Sequence, residues 1–205
     1  AGANAVKFQT FKASNIVTKS APKAEYQQLN TDAVESQYEM LKKLELSAED
    51  HQILIEHCKK KQIDFLSTPF DLESVDLLVN DLGLKVLKLP SGEITNAPLI
   101  LRAAQSGASI ILSTGMSTIG EVETALGILA YGFMNPSRFV QPSVNSFQEA
   151  YVSVEGQRLL KEKVTILHCT TEYPAPFEDV NLLVIDTLKH TFQLPAGYSD
   201  HTEGI

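Results

Sequence analysis

Six short apolar segments recur along the chain, and each is followed at once by a group of polar or ionisable residues. The segments are rich in Val, Ile, Leu and Phe, which is typical of parallel strands buried on both faces. We therefore predict strands at residues 5–9, 64–68, 86–90, 109–113, 164–169 and 196–199.

The intervening segments carry helix signals. Three sequences resemble capping boxes and predict helix starts at Ser47, Thr118 and Ser146. Further helices are predicted at residues 71–82, 98–104 and 180–192, the first of them ended by Gly83. Two longer segments, 11–43 and 133–163, do not fit a minimal strand–helix unit, and we expect them to form a long loop with partial helix and an insertion with one helix.

Alternating strands and helices predict an α/β fold with a parallel sheet. A doubly wound open sheet would concentrate function at one or two switch points. Polar groups after all six strands favour a TIM (β/α)8 barrel, whose active site lies at the carboxyl ends of its strands. A complete barrel needs about 250 residues, so 205 residues with six strands predict a fragment of about six of the eight units.

Composition excludes several classes of function. The net charge of -8 argues against general nucleic-acid or membrane-surface binding, so an anionic substrate would have to be attracted by local cations. No segment approaches the roughly 18 apolar residues of a membrane span, and no signal peptide is visible. Cys58 and Cys169 lack metal-type spacing, and we interpret both as reduced thiols of a cytoplasmic protein.

Two lysines supply the first candidate chemistry. Lys7 and Lys88 each follow apolar strand residues, and two lysines directed into one barrel mouth would repel unless an anion lay between them. A phosphate or carboxylate site is therefore the better interpretation than two solvated charges. Neutral hydrogen bonds to the anion could come from the strand-end hydroxyls of Thr68, Ser91, Ser113 and Ser199.

Glu93 and two histidines are candidates for proton transfer or metal binding. Gly92 places Glu93 at the mouth, where it could transfer protons or bind a sugar hydroxyl, or simply cap the next helix. His168 is either a core residue or functional, whereas the polar surroundings of His201 favour a metal or catalytic role. The aromatic rings of Phe70 and Tyr173 could stack on a sugar. His51 and His57 are expected on the surface, and His190 at the C-terminus of a helix.

The motifs that carry these residues resemble the sialic acid synthase family nearly end to end. The matching segments include Lys7-Phe8-Gln9, Ser67-Thr68-Pro69-Phe70, Lys88-Leu89-Pro90-Ser91-Gly92-Glu93, Ser113-Thr114-Gly115-Met116, His168-Cys169-Thr170-Thr171-Glu172-Tyr173-Pro174 and Ser199-Asp200-His201. Several motifs in the same order are far more specific than any single one. N-acetylneuraminate synthases belong to this family, and legionaminate and pseudaminate synthases are close relatives.

The resemblance implies a metal-dependent condensation of phosphoenolpyruvate with N-acetylmannosamine, in which water adds at C2 and phosphate leaves by C–O cleavage. It implies a divalent metal, Mn²⁺ or Mg²⁺, with His201 as a ligand, and Glu93 and Lys88 as catalytic residues. Gln9, Phe70 and Tyr173 would face the sugar. Phosphoenolpyruvate would be held by Lys7, Thr68, Lys88, Ser91, Ser113, Thr171 and Ser199.

Relative to this family, the first strand, the last strand and the small C-terminal antifreeze-like domain are absent from residues 1–205. We therefore expect the whole protein to be a homodimer and the fragment alone to be inactive. A legionaminate or pseudaminate synthase, using a 2,4-diacetamido-6-deoxy hexose, would share nearly every motif. A phosphorylated acceptor would need cations such as Lys12, Lys19 or Lys23. In a different class, a degenerate barrel could bind a sugar phosphate without catalysis.

Overall fold

The computed structural model describes residues 2–23, 35–137 and 141–204, and within them six parallel strands alternate with helices. All six predicted strands are present, and their bounds agree with the prediction to within one residue. The third ends before Pro90, which has no N–H to donate to a sheet. The strands are β1 (Ala5–Thr10), β2 (Asp64–Pro69), β3 (Val86–Leu89), β4 (Ser109–Ser113), β5 (Val164–Cys169) and β6 (Ala196–Ser199).

The helices account for most of the remaining described chain. Short 3-10 turns at Ser91–Glu93 and Phe177–Asp179 follow β3 and β5, and a π-helical turn at Leu77–Asp81 extends the helix after β2. The α-helices are α1 (Ala13–Ile16), α2 (Gln37–Lys42), α3 (Ala48–Lys61), α4 (Leu72–Asp76), α5 (Ala97–Gln105), α6 (Ile119–Met134), α7 (Val144–Val152), α8 (Val154–Lys163) and α9 (Leu183–Phe192).

Two of the three predicted capping boxes are confirmed. Ser47 caps α3 with Asp50, and Thr118 caps α6 with Glu121. The third prediction is wrong, because Ser143 rather than Ser146 caps α7, and Ser146 is the third helical residue of that box. Both serines fit a capping pattern, and the local sequence does not decide between them.

The first long segment has the partial helix that was expected, and the second holds one helix more than expected. Segment 11–43 contains α1 and α2 in its described part, while residues 24–34 lie outside the described residues. Segment 133–163 contains α7 and α8, separated by Ser153, instead of one helix. No helix among residues 2–23, 35–137 and 141–204 is long and apolar enough to cross a membrane.

Parallel pairing sets the strand register. β1 pairs with β2 in one sheet, and β3, β4, β5 and β6 pair in that order in a second, which confirms the α/β class with parallel strands. Alternate residues of β3 and β4 are fully buried in one apolar core with α5 and α6. That core includes Leu87, Leu89, Ile110, Leu112, Leu99, Ile100, Leu126 and Leu129. Because strand side chains alternate, Lys88 and Ile111 face the opposite side of the sheet.

Candidate functional site

A cavity of about 700 Å³ lies at the carboxyl ends of the strands. Every strand contributes to its wall either directly or through the loop that follows it. The predicted site residues all line this cavity except Glu93. The lining residues are Lys7, Gln9, Thr68, Phe70, Lys88, Pro90, Ser91, Gly92, Ser113, Met116, Cys169, Thr171, Tyr173, Ser199 and His201.

Strand alternation explains why these side chains converge. Lys7 and Gln9 are two residues apart on β1, so both project from the same face, away from Phe8. Pairing then places Gln9 opposite Thr68 on β2 and Cys169 opposite Ser199 on β6. One face of the six strands therefore supplies the cavity floor, and the other supplies contacts with helices.

The two lysines make the cavity electropositive. The pKa of Lys88 is lowered to about 8, first by burial and then by the charge of Lys7, while Cys169 opposes this shift. The pKa of Lys7 is also lowered by loss of water contact against the cavity walls, although the side chain is exposed through the open mouth. None of the described residues that line the cavity is Asp or Glu. The site is therefore suited to an anion.

Two buried hydroxyls beside these lysines lack internal partners. Thr68 Oγ1 and Ser113 Oγ make no hydrogen bond to any described residue, and both residues are only 1% exposed. A buried hydroxyl without a partner is costly, so such groups in native proteins normally have a water or ligand partner. Together with the lysines, they form a donor set that matches a phosphate or carboxylate.

Cys169 is a cavity residue that the sequence prediction missed. Its Sγ lies 3.0 Å from Ser91 Oγ, and Ser91 Oγ accepts a hydrogen bond from the Gly115 N–H at 3.1 Å. A side chain on Gly115 would come within 2.9 Å of Cys169 Sγ, so the backbone of Gly115 packs directly against the thiol. The alternation of β5 could have revealed Cys169, since its side chain follows Leu167 on the cavity face. As predicted, both cysteines are free thiols.

His201 and Tyr173 lie together at the mouth. Their ring centroids are 4.4 Å apart, and His201 Nε2 lies 3.3 Å from Ser199 Oγ. Burial and the charge of Lys88 lower the pKa of His201, while Asp200 opposes them. Among the described residues no three His, Cys, Asp or Glu side chains converge as a metal site would require. His201 could supply one ligand, but the described residues do not complete a metal site.

The other acid–base candidates, Glu93 and His168, do not line the cavity. Glu93 Oε2 accepts a hydrogen bond of 2.6 Å from Asn96 Nδ2, and Asn96 is the N-cap of α5. His168 is 8% exposed and stacks on Tyr198 at 5.7 Å, and its Nε2 has no partner among the described residues. Burial lowers the pKa of His168.

One histidine prediction is wrong. His51 was expected on the surface but is fully buried, with Nε2 2.8 Å from Thr10 Oγ1 and Nδ1 2.7 Å from the Ser47 carbonyl oxygen. The sequence around His51, on a helix that also carries lysines, does not indicate burial, because its buried partner Thr10 lies on β1, 41 residues away. His57 is exposed, as predicted, and His190 lies in the last turn of α9, which confirms its predicted place at the C-terminus of a helix.

The lysines proposed for a phosphorylated acceptor do not line the cavity. Lys12 and Lys23 instead form ion pairs with Glu45 at 3.9 Å and Glu35 at 3.4 Å. Nothing in these contacts directs either ammonium group toward the mouth.

Comparison with known proteins identifies relatives that align with the whole chain at high sequence identity. The sequence profile described as the NeuB family matches residues 1–205. The chain is 50% identical to N,N'-diacetyllegionaminic acid synthase of Campylobacter jejuni, with 100% of this chain and 53% of the relative aligned. It is 45% identical to the protein of the same name from Legionella pneumophila, with 100% and 51% aligned.

A solved structure shares the fold. The crystal structure of N-acetylneuraminic acid (sialic acid) synthetase from Leptospira borgpetersenii, in complex with citrate, superposes with a TM-score of 0.68 at 30% identity. The superposition covers 98% of this chain and 56% of that chain. The chain thus spans about half the length of the curated relatives it matches.

Proposed function

This chain belongs to the NeuB family, and from that premise we propose that it is part of an N,N'-diacetyllegionaminic acid synthase. Sequence identity supports the proposed acceptor. The chain is 50% and 45% identical to two proteins of that name, but 30% identical to the sialic acid synthetase of solved structure. The preferred acceptor is then a 2,4-diacetamido-6-deoxy hexose, and N-acetylmannosamine, expected first from the sequence, becomes the second candidate.

The proposed reaction joins phosphoenolpyruvate to the open-chain sugar. C3 of phosphoenolpyruvate attacks the aldehyde carbon and forms the new C–C bond, while the aldehyde oxygen takes up a proton. Water adds at C2, and the tetrahedral intermediate collapses with cleavage of the C–O bond to release inorganic phosphate. Since the nucleophilic carbon belongs to the substrate, the protein contributes mainly positioning and electrostatic stabilisation.

Lys7 and Lys88 are proposed to bind the phosphate and carboxylate of phosphoenolpyruvate. The unpaired hydroxyls of Thr68 and Ser113 would donate hydrogen bonds to it. The anion site would be completed by Ser91, Thr171 and Ser199. The support is the pairing of two lysines of lowered pKa with buried, unpartnered donors in a cavity wall free of described carboxylates.

The sugar would occupy the outer part of the cavity. The proposal is supported by Gln9, Phe70 and Tyr173, which line the cavity with polar and aromatic groups suited to hydroxyls and a sugar ring. Glu93 is the proposed proton donor or acceptor, held by Asn96. A divalent cation, Mn²⁺ or Mg²⁺, with His201 as one ligand, remains part of the proposal, but its other ligands would have to come from outside the described residues.

The proposal includes a larger protein. Residues 1–205 would form about six units of a TIM (β/α)8 barrel, the rest of the protein would supply the remaining strands and a C-terminal domain, and a second copy would complete a homodimer. Relatives about twice as long support the additional length. The fragment alone would then be inactive.

Phosphate release by the full-length protein tests the assignment. The assay would contain phosphoenolpyruvate, Mn²⁺ and either the 2,4-diacetamido sugar or N-acetylmannosamine, with Lys88→Met as the inactive control. Preference for the diacetamido sugar would support the proposal. Preference for N-acetylmannosamine would move the protein to the neuraminate branch. No release with either, from a folded and metal-loaded protein, would overturn the synthase assignment in favour of a non-catalytic binding protein.

A further inference from the structure

Behind the cavity, three buried polar side chains form a hydrogen-bonded row. His51 Nε2 lies 2.8 Å from Thr10 Oγ1, and Thr10 Oγ1 lies 2.6 Å from Ser67 Oγ. The row continues to the protein backbone, because His51 Nδ1 lies 2.7 Å from the Ser47 carbonyl oxygen. His51 and Ser67 are 0% exposed and Thr10 is 3% exposed, so bulk water cannot replace these partners.

For a neutral His51 ring, donor and acceptor chemistry fixes the order of protons in the row. The Ser47 carbonyl can only accept, so His51 Nδ1 carries the ring proton and donates it. Nε2 of an imidazole with one ring proton can only accept, so the Thr10 hydroxyl donates to it. Thr10 has then used its proton, and the Ser67 hydroxyl must donate to Thr10 Oγ1. Each hydrogen bond then has one donor and one acceptor, and donation runs from Ser67 through Thr10 and His51 to the Ser47 carbonyl.

The row joins the two strands that carry one side of the cavity. Thr10 and Ser67 face α3, and their chain neighbours Gln9 and Thr68 are directly paired and face the cavity. The His51 ring also meets the Phe65 ring edge-on, at 6.2 Å between centroids. A shift of β1 along β2 would therefore break the row and displace the cavity side chains together.

The row holds a strand that carries an unfavourable charge. Among the described strands β1 pairs with β2. It also carries Lys7, whose charge repels Lys88 across the cavity. Side-chain contacts that fix β1 against β2 therefore help to keep Lys7 in place against this repulsion.

We propose that His51, Thr10 and Ser67 form a positioning network that holds Lys7 and Gln9 of β1 at the substrate cavity. The inference rests on the proposed function for its kinetic readout, because Lys7 and Gln9 are the proposed contacts to phosphoenolpyruvate and sugar. The three residues touch no substrate and act only through the strands that they join.

The test compares substitutions at Thr10 in the full-length protein. Thr10→Val keeps the side-chain shape but removes the hydroxyl, and Thr10→Ser keeps the hydroxyl. Thr187→Val, whose hydroxyl bonds within the exposed face of α9, is the matched control. A displacement of less than 1 Å at Lys7 should raise the KM for phosphoenolpyruvate about tenfold in Thr10→Val. Thr10→Ser and the control should stay within about twofold of the wild type.

A second measurement reads the network directly. Nitrogen-15 NMR of the imidazole should show the His51 ring proton on Nδ1 and none on Nε2, and Thr10→Val should shift the Nε2 signal. A ring proton on Nε2 would overturn the assigned order. The positioning role would be overturned if Thr10→Val lowered the melting temperature but left the KM unchanged, or if Thr10→Ser failed to restore it.

The two proposals fail in distinguishable ways. If the wild type releases no phosphate with any acceptor, the proposed function fails. Calorimetric affinity for phosphoenolpyruvate then decides the positioning role: equal affinity of the wild type and Thr10→Val, or no measurable binding by the wild type, overturns it. About tenfold weaker binding by Thr10→Val supports it.

Discussion

Lys88 shares one cavity with Lys7, and the pKa of Lys88 falls to about 8 because its ammonium group is buried and is repelled by the Lys7 charge. No described residue that lines the cavity is a carboxylate that could neutralise the pair. The folded protein therefore holds two like charges together at a cost in free energy. An anion bound between them would remove the repulsion and raise the pKa of Lys88.

The first prediction concerns pH. Affinity for phosphoenolpyruvate should weaken as the pH rises through about 8, because Lys88 loses its proton there in the free protein. A phosphate monoester is already fully ionised above pH ~7.5, since its second pKa is about 6. Calorimetry between pH 7.5 and 9.5 should show a loss of up to about tenfold per pH unit above the pKa. Affinity that stays constant to pH 9.5 would contradict this role of Lys88.

Stability should change in the opposite sense. The pKa of Lys88 is about 8 in the folded protein and 10.5 in the unfolded chain, so between these values the unfolded chain holds more protons and stability rises with pH. Below about pH 8 the full cost of the buried charge is present. Lys88→Met should then raise the free energy of unfolding by about 1–2 kcal/mol at pH 7, after allowance for solvent screening at the open mouth.

Chemical denaturation at pH 7 and pH 9.5 measures this effect. Lys189→Met, on an exposed helix surface, is the matched control and should change the unfolding free energy little. A Lys88→Met protein less stable than the wild type at pH 7 would mean that the lysine is stabilising in the free protein.

Ser113→Ala separates ligand binding from stability. The Ser113 hydroxyl has no described partner, so its removal breaks no internal hydrogen bond and should leave the unfolding free energy within about 0.5 kcal/mol. Loss of a hydrogen bond to a charged ligand should weaken phosphoenolpyruvate binding about tenfold or more. Ser109→Ala at the other end of β4 is the control. Equal affinities of the two variants would remove Ser113 from the anion site.

Gly115→Ala tests the packing around Ser91 and Cys169. A Cβ at this position would lie 2.9 Å from Cys169 Sγ and 3.0 Å from Ser91 Oγ, so both side chains must move. We expect the KM for phosphoenolpyruvate to rise about tenfold, as a shift of less than 1 Å in a binding group can do. Gly120→Ala meets nothing within 4 Å and should leave the KM unchanged. A normal KM in Gly115→Ala would show that Ser91 can move without loss of binding.

Much of the fold could be predicted because its strands and helix starts are specified by residues close together in the sequence. Strands such as Val164–Cys169 are apolar runs ended by polar residues, and strand alternation then brought Lys7, Lys88 and Ser113 to one cavity. Helix starts at Ser47 and Thr118 follow from the serine or threonine cap with an acidic residue three positions later.

The failures depend on contacts that local patterns do not contain. His51 is buried by the Thr10 hydroxyl on β1, which is itself bonded to Ser67 of β2, and a lysine-rich helix gives no sign of either contact. Cys169 is an exception, because the alternation of β5 alone could have placed its side chain in the cavity. Glu93 was expected at the mouth, but its carboxylate is bonded to Asn96, one turn further along the chain. Choice of the acceptor required the relatives, since the motifs are common to several synthases.

Glu93→Gln tests the remaining acid–base assignment. Glu93 Oε2 accepts a 2.6 Å hydrogen bond from Asn96, and a glutamine carbonyl can accept the same bond, so the cap of α5 should persist. Loss of the ionisable group should lower kcat about 100-fold or more if Glu93 transfers a proton, while calorimetric affinity for phosphoenolpyruvate stays unchanged. Glu73→Gln, at an exposed position of α4, is the control and should retain full activity. A normal kcat in Glu93→Gln would exclude proton transfer by Glu93, because the charge would have been removed without affecting the chemistry. The role of Glu93 would then be to hold Asn96.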